Sequence, residues 1–226
     1  MAGKEYHQII CAGISAVKWI ANKEPERDKQ QIKALQDVLQ TVSADQFVLI
    51  STIDVYPLQQ GEDESFDCTQ IPNEPYGFHR LLFEQFCMKK FNDCRIIRLP
   101  GLFGAGLKKN IIYDLLNDNC LEMINPASSF QYYYLENLWN DIQTLLESDI
   151  TTINFFTEPI QSKNIIQHFF PGKKVGQAPV PEKHYNLYTQ HASLWGKTGH
   201  YMQSREEVFT QLETYIQRER GKGQIT

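Results

Sequence analysis

A short apolar run in the first quarter of the chain most constrains its fold. Residues 47–50 are Phe-Val-Leu-Ile, an uninterrupted β-favouring run that is typical of a strand buried on both faces of a parallel sheet. Ser51 and Thr52 follow directly and place hydroxyl groups where this strand ends. Ligands of open α/β sheets bind beyond the carboxyl ends of the strands. The run therefore predicts an α/β fold with a candidate site at Thr52.

An amphipathic helix is predicted over residues 76–91, beginning at Tyr76. Tyr76 and Arg80 are four residues apart, so their side chains lie on one helical face, one turn from each other. A hydroxyl at a strand end, a tyrosine and a nearby cation are the groups needed for proton transfer to a carbinol or carbonyl oxygen. The expected core side of this helix carries Leu81, Leu82, Phe86 and Met88.

Strands and helices alternate along the rest of the N-terminal part of the chain. Strands are predicted at 6–12 and 94–99, and a helix at 26–42, in addition to the two elements above. This alternation predicts parallel βαβ units with right-handed crossovers.

The pattern loosens after residue 106. Helices are predicted at 110–118, 138–147 and 162–170, strands at 130–134 and 153–156, and a last helix after a capping box at 204–207. We therefore expect a partial Rossmann-like core over 1–106 and C-terminal substrate-lobe elements over 107–226, packed on the same domain.

Composition excludes several classes of partner. The formal net charge of −5 is well mixed, without the basic blocks that bind nucleic acid or anionic membranes. No apolar run approaches the ~18 residues that span a bilayer. The five cysteines are scattered, odd in number and without metal-ligand spacing, which predicts free thiols, no metal site and a cytoplasmic location.

Three motifs in order resemble one known family. STIDVY at 51–56, YGFHR at 76–80 and RLPGLFGAG at 98–106 look like the extended short-chain dehydrogenase/reductase family. These are NAD(P)-dependent nucleotide-sugar epimerases, dehydratases and reductases, and the resemblance covers about residues 6–215. It implies a Rossmann-like parallel sheet with a small C-terminal α/β substrate lobe, NAD or NADP as cofactor, and a nucleotide-sugar as substrate.

The resemblance implies roles for the catalytic residues. Thr52 would hydrogen-bond the substrate oxygen, and Tyr76 would be the general acid/base. Arg80 stands where the family has a lysine; it would bias Tyr76 toward tyrosinate and hold the cofactor ribose. The competing interpretation is structural: a strand-end hydroxyl bonded to the local backbone, and a helix that exposes Tyr76 and Arg80.

Further binding residues follow from the same resemblance. The cofactor would also contact Ala12, Gly13, Pro100 and Gly101. Candidate substrate-binding residues are Asp54, Lys108, Asn110 and Gln131, of which Lys108 and Asn110 would meet a diphosphate. The dehydratase branch has two acidic residues after its threonine, whereas here Ile53 takes the first position. The expected activity is therefore epimerisation or ketone reduction rather than dehydration.

A glycine-rich pyrophosphate turn, Gly-x-x-Gly-x-x-Gly, does not follow the first predicted strand. By comparison with the family, the printed chain contains only the later strands of the sheet. One explanation is a fragment or shortened form whose N-terminal half is lost or supplied by another chain. The other is a non-catalytic binding or interaction protein on a degenerate scaffold.

Either explanation has two consequences. Binding of NAD(P) by this chain alone should be weak, because the pyrophosphate cradle is absent. The strand at 6–12 should form an open apolar edge, which predicts self-association or a partner chain.

Overall fold

The computed structural model describes residues 3–222. Eight strands are present among these residues: β1 (Glu5–Cys11), β2 (Ser43–Thr52), β3 (Cys94–Leu99), β4 (Gly101–Phe103), β5 (Ser129–Phe130), β6 (Tyr132–Tyr134), β7 (Thr152–Asn154) and β8 (Ile160–Gln161). Seven α-helices accompany them: α1 (Lys18–Lys23), α2 (Pro25–Gln40), α3 (Pro75–Lys90), α4 (Asn110–Asn117), α5 (Leu138–Leu146), α6 (Ser162–Phe169) and α7 (Arg205–Lys222). No helix in this part of the chain has the length and apolar character needed to cross a bilayer.

The main sheet is parallel, in the order β1-β2-β3-β7. The predicted α/β fold with a parallel sheet is therefore confirmed. Strand β2 begins four residues before its apolar run, because the mostly polar segment Ser43 to Gln46 pairs with Glu5 to Gln8 of β1. The strand predicted at 153–156 is β7, and it joins this sheet beside β3.

The chain forms two compact units. The first runs to Leu58 and also contains Glu62–Leu99 and Ile150–Asn154, so it holds the parallel sheet. The second contains Gln59–Gly61, Pro100–Asp149 and the chain from Phe155 onward.

One face of the sheet packs on helices in the first unit. Alternate strand residues such as Ile9, Phe47 and Ile96 are buried there. The rings of Phe47 and Phe91 stack with centroids 4.0 Å apart. Burial of this apolar face supplies the main driving force for the fold of the unit.

Helix α3 is oriented differently from the sequence prediction. Leu82 and Met88 are 41% and 45% exposed, so their predicted burial is wrong, whereas Leu81 is buried as expected. The side chains that α3 buries include Arg80 and Glu84. Since both are charged and paired, hydrophobic periodicity could not place them on the inner face.

The second unit contains two short sheets, β4 with β6 (parallel) and β5 with β8 (antiparallel). Helix α7 packs against an aromatic and aliphatic core through Val208 and Leu212. Its predicted capping box is present: Ser204 N–H donates to Glu207 Oε2 at 2.8 Å, and Glu207 N–H donates to Ser204 Oγ at 3.3 Å.

Candidate functional site

Thr52 and Tyr76 meet at the carboxyl end of β2. The backbone of Thr52 is extended, and its hydroxyl accepts a hydrogen bond from Asp54 N–H at 3.2 Å. The same hydroxyl donates a long hydrogen bond to Asp54 Oδ2, 3.4 Å, and lies near enough to the Tyr76 phenol to lower its pKa. Thr52 and Tyr76, two of the three residues that the sequence assigned to catalysis, are therefore brought together.

The start of α3 is held tightly against the segment after β2. A side chain at Gly77 would place its Cβ 1.9 Å from the Asp54 carbonyl oxygen, so only glycine fits. Asn73 Nδ2 donates to the carbonyls of Asp54 and Val55 at 2.9 and 3.1 Å. Asn22 of α1 accepts the Tyr76 N–H at 2.9 Å. These contacts fix Tyr76 beside Thr52.

Arg80 is buried and its terminal nitrogens are engaged inside the protein. They donate to both carboxylate oxygens of Asp28, at 2.7 and 2.9 Å, and to the Ser15 and Tyr76 carbonyls at 2.6 and 3.0 Å. The guanidinium carbon lies 3.7 Å from the centroid of the Tyr76 ring, which is cation–π geometry. Arg80 therefore packs on the face of Tyr76 and fixes its ring.

Asp28 is the counter-charge of Arg80. His79 Nδ1 also lies 2.8 Å from Asp28 Oδ2, and its side chain is only 11% exposed. Burial acts to raise the pKa of the Asp28 carboxyl, but hydrogen bonds and charge from Arg80 and His79 outweigh it and hold the pKa below its usual 3.8. Asp28 lies on α2, about fifty residues from Arg80, and no sequence pattern linked the two.

The pKa of the Tyr76 phenol is raised above its usual 10.0. Burial is the main cause, and the charge of Asp54 acts in the same direction. The charges of Arg80 and Lys18 and the neighbouring Thr52 hydroxyl lower the pKa, but they do not compensate for burial. Arg80 lowers the pKa of Tyr76, which is the direction expected of its charge. The net change in the pKa is nevertheless upward, so the neutral phenol is favoured over the tyrosinate.

Lys18 brings a second cation to this site. Its ammonium lies 2.5 Å from Asp54 Oδ1, and the side chains of Lys18 and Asp54 are 38% and 17% exposed. Lys18 lies on α1, a helix of six residues that no hydrophobic periodicity in the sequence indicated. Asp54, predicted as a substrate-binding residue, thus has contacts with both Thr52 and Lys18.

The other predicted cofactor-binding residues lie at strand ends. Ala12 and Gly13 are exposed directly after β1, whose last residue Cys11 pairs with Leu49 of β2, three residues before the end of β2. Pro100 is buried in the second unit. Gly101 begins β4 there and donates its N–H to the Gln131 carbonyl at 3.1 Å. Contact of these four residues with a cofactor stays a prediction.

The remaining predicted substrate-binding residues belong to the second unit. Lys108 is exposed. The Asn110 side chain donates to the Leu102 carbonyl at 2.6 Å and accepts from Ile112 N–H at 2.9 Å. Gln131 is 1% exposed, and its amide bonds three backbone groups, of Thr157 and Leu187. The contacts of Asn110 and Gln131 give both amides structural roles, and their substrate contacts stay predictions.

No protein-family model matches the sequence, and a search of curated proteins finds no match. Solved structures do share its fold. A dTDP-4-dehydrorhamnose reductase from Bacillus anthracis, solved with NADP, has 21% identity and a TM-score of 0.69 over 94% of this chain and 79% of its own. A UDP-N-acetylglucosamine 4-epimerase from Methanobrevibacter ruminantium, solved with UDP-N-acetylmuramic acid, has 14% identity and a TM-score of 0.67, covering 93% and 75%.

A UDP-glucose 4-epimerase from Thermotoga maritima, solved with UDP-glucose, gives 15% identity and a TM-score of 0.64 over 83% and 70% of the two chains. The chain has the fold of NAD(P)-dependent epimerases and reductases. Contact of Thr52 and Tyr76 with a cofactor stays a prediction. Arg80 does not fit the predicted ribose contact, because both its terminal nitrogens are used by Asp28 and two carbonyls.

Proposed function

We propose that the protein is an NAD(P)-dependent oxidoreductase or epimerase that acts on a nucleotide-sugar. Thr52 holds the substrate oxygen and Tyr76 transfers the proton. The observation that carries this proposal is the close packing of the start of α3 against the segment after β2, which brings the Thr52 hydroxyl and the Tyr76 phenol together. The fold, shared with nucleotide-sugar epimerases and reductases, supports the substrate class.

The protonation state of Tyr76 favours one direction of reaction. Because its pKa lies above the usual 10.0, the phenol carries its proton near neutral pH. A substrate carbonyl oxygen that accepts hydrogen bonds from Thr52 and Tyr76 would receive this proton as the carbonyl is reduced. When bound, a reduced nicotinamide supplies the hydride. Tyr76 is therefore better prepared for ketone reduction than for deprotonating an alcohol.

The proposed role of Arg80 differs from ribose binding. It packs against the ring of Tyr76 and adds positive charge near the phenol, so it positions the proton donor. Asp28 in turn holds Arg80 in place.

One observation favours a second candidate, a non-catalytic binding or interaction protein. Tyr76 is only 6% exposed, which limits the access of a substrate to its hydroxyl. Such a protein would keep the scaffold while losing the reaction.

We also propose a cytoplasmic location. All five cysteines are free thiols, four of them buried, as expected for a reducing compartment.

The proposal is tested by assaying the purified chain with UDP- and dTDP-linked sugars and 4-keto-sugars at millimolar NAD(P)H or NAD(P)+. We expect turnover that Tyr76→Phe lowers by ~10²–10⁴-fold, the usual contribution of general acid–base catalysis. Tyr113→Phe, which removes a phenol hydroxyl from the second unit, is the matched control. Turnover that survives in Tyr76→Phe would refute the role of Tyr76, and none with any sugar would favour the non-catalytic candidate.

A further inference from the structure

Arg80, the cation that lies on the same helix as Tyr76, has no terminal nitrogen left to bind a ligand. Arg80 is 3% exposed, and each of its terminal nitrogens already donates to two acceptors. Its guanidinium faces the ring of Tyr76 rather than the phenol oxygen. A cation that acts at the phenol oxygen of Tyr76 must therefore come from another helix or strand.

A line of polar groups leads from Tyr76 to the surface. The Thr52 hydroxyl lies near the Tyr76 phenol and donates to Asp54 Oδ2 at 3.4 Å. The other carboxylate oxygen, Oδ1, accepts from Lys18 Nζ at 2.5 Å. Exposure rises along this line, from 6% at Tyr76 to 38% for the Lys18 side chain.

The carboxylate of Asp54 would be harmful at this position without a counter-ion. It accepts from the Thr52 hydroxyl beside Tyr76, and its negative charge opposes the formation of a tyrosinate there. The backbone of Asp54 is held beside α3, because its carbonyl is in close contact with Gly77 and accepts from Asn73. The ammonium of Lys18 lies at the carboxylate and neutralises its charge there.

We propose that Lys18 is a positioning residue of the site, whose ammonium neutralises Asp54 and so protects the Tyr76 phenol from an uncompensated negative charge. This assignment rests on the proposed role of Tyr76 as proton donor. It gives a function to α1, which carries Lys18 to Asp54 and Asn22 to the backbone of Tyr76.

The groups that act on Tyr76 come from four elements. They are Arg80 on its own helix, Thr52 at the end of β2, Asp54 in the turn after it, and Lys18 on α1. Burial raises the pKa of Tyr76 most; Arg80, Thr52 and Lys18 lower it, and Asp54 raises it. Removing the charge of Lys18 should therefore raise this pKa further, and removing that of Asp54 should lower it.

A titration of the free protein tests this order. Incorporating 3,5-difluorotyrosine at position 76 places ¹⁹F NMR labels on this ring alone and brings the phenol into an accessible pH range. We expect the midpoint to move to higher pH in Lys18→Met and to lower pH in Asp54→Asn. The double variant should return close to the parent, because the two opposing charges are removed together.

Two controls separate charge from structure. Lys18→Arg keeps the cation and should keep the parent midpoint. Lys33→Met breaks an exposed ion pair with Asp37 on α2 and should leave the midpoint unchanged. An unchanged midpoint in Lys18→Met, or shifts of the same sign in Lys18→Met and Asp54→Asn, would overturn the proposal.

The titration needs neither substrate nor cofactor, so its result does not depend on turnover. If no sugar is turned over, the proposed function fails while the Lys18–Asp54 effect on Tyr76 is still measured. If turnover is found, the limb of the pH–rate profile that is assigned to Tyr76 should move in the same direction as the midpoint of the ¹⁹F titration. A limb that stays fixed in Lys18→Met while the ¹⁹F midpoint moves would contradict the assignment of Lys18 to catalysis.

Discussion

At the scale of single residues, the site depends on a buried ion pair. Asp28 and Arg80 are 4% and 3% exposed and form two hydrogen bonds with each other. Removing one partner of such a pair leaves the other charge buried without compensation, which costs about 3–5 kcal/mol of folding free energy. We expect Asp28→Asn to lower the free energy of unfolding by this amount in urea denaturation at pH 7.

The same pair gives a pH dependence with a defined sign. Because the folded-state pKa of Asp28 is depressed below 3.8, its contribution is fully present above that value and is lost as pH falls through the folded pKa. The stability difference between wild type and Asp28→Asn should therefore shrink below pH ~4. Asp37→Asn, in the exposed pair with Lys33, is the control and should change stability little at any pH. A difference that is constant down to pH 2 would contradict the assignment.

Gly77 makes a second prediction at this scale. Alanine in place of a helical glycine usually stabilises a protein by roughly 0.5–1 kcal/mol. At Gly77 the new Cβ would lie 1.9 Å from a backbone oxygen, so we expect Gly77→Ala to destabilise by at least about 1–3 kcal/mol. Gly221→Ala on α7, where a Cβ has no neighbour within 4 Å, is the control. Equal stability of Gly77→Ala and wild type in urea denaturation would refute this packing.

The sequence predicted some of these residues and not others. Thr52 and Tyr76 were predictable because each follows a local signal, a strand end and a helix start. The binding of Arg80 to Asp28 was not, since it joins α3 to α2 and depends on tertiary packing. Gly77 did carry a usable signal, because a glycine inside a predicted helix indicates a close approach of the backbone.

At the scale of elements, β1 is an open edge. It pairs with β2 on one side and with no other strand among residues 3–222. Ile10 is 37% exposed on it. Because unpaired strand edges bind other strands, we expect the purified chain to self-associate, with a mass that rises with concentration in light scattering.

Lysine on an edge strand opposes such pairing, so Ile10→Lys should reduce this association. Val38→Lys introduces the same charge at a residue of α2 with similar exposure, 38%, and should not reduce it. A clean monomer at high concentration in both the wild type and Ile10→Lys would exclude β1 as an association surface.

Elements with strong periodicity were predicted to within a few residues. Helix α2 was expected at 26–42 and is Pro25–Gln40, and β3 was expected and found at residues 94–99. Helix α1 was missed because six residues are too few to show a repeat. The aromatic strand expected at 130–134 is two strands, β5 and β6, whose partners lie in different sheets. Such pairings are set by tertiary contacts, which local patterns do not contain.

At the scale of the whole molecule, the affinity for a dinucleotide cofactor depends on whether the chain contains a pyrophosphate-binding turn. A dinucleotide pyrophosphate binds tightly where a glycine-rich turn presents backbone N–H groups at a helix N-terminus. The only comparable run in the sequence is Gly101-x-x-Gly104-x-Gly106. A Cβ on Gly104 would lie 3.0 Å from Leu135 Cβ, so this glycine is already required by packing within the second unit.

We therefore expect this chain to bind NAD(P) weakly, through the nicotinamide end alone. Isothermal calorimetry should give similar, weak dissociation constants for NAD+ and nicotinamide mononucleotide, because the adenosine half adds no contact. Tyr76→Phe should weaken both ligands to the same extent, since the phenol lies at the end they share. A micromolar dissociation constant for NAD(P), or NAD+ binding ten times more tightly than the mononucleotide, would show that a pyrophosphate or adenosine site exists and would overturn this prediction.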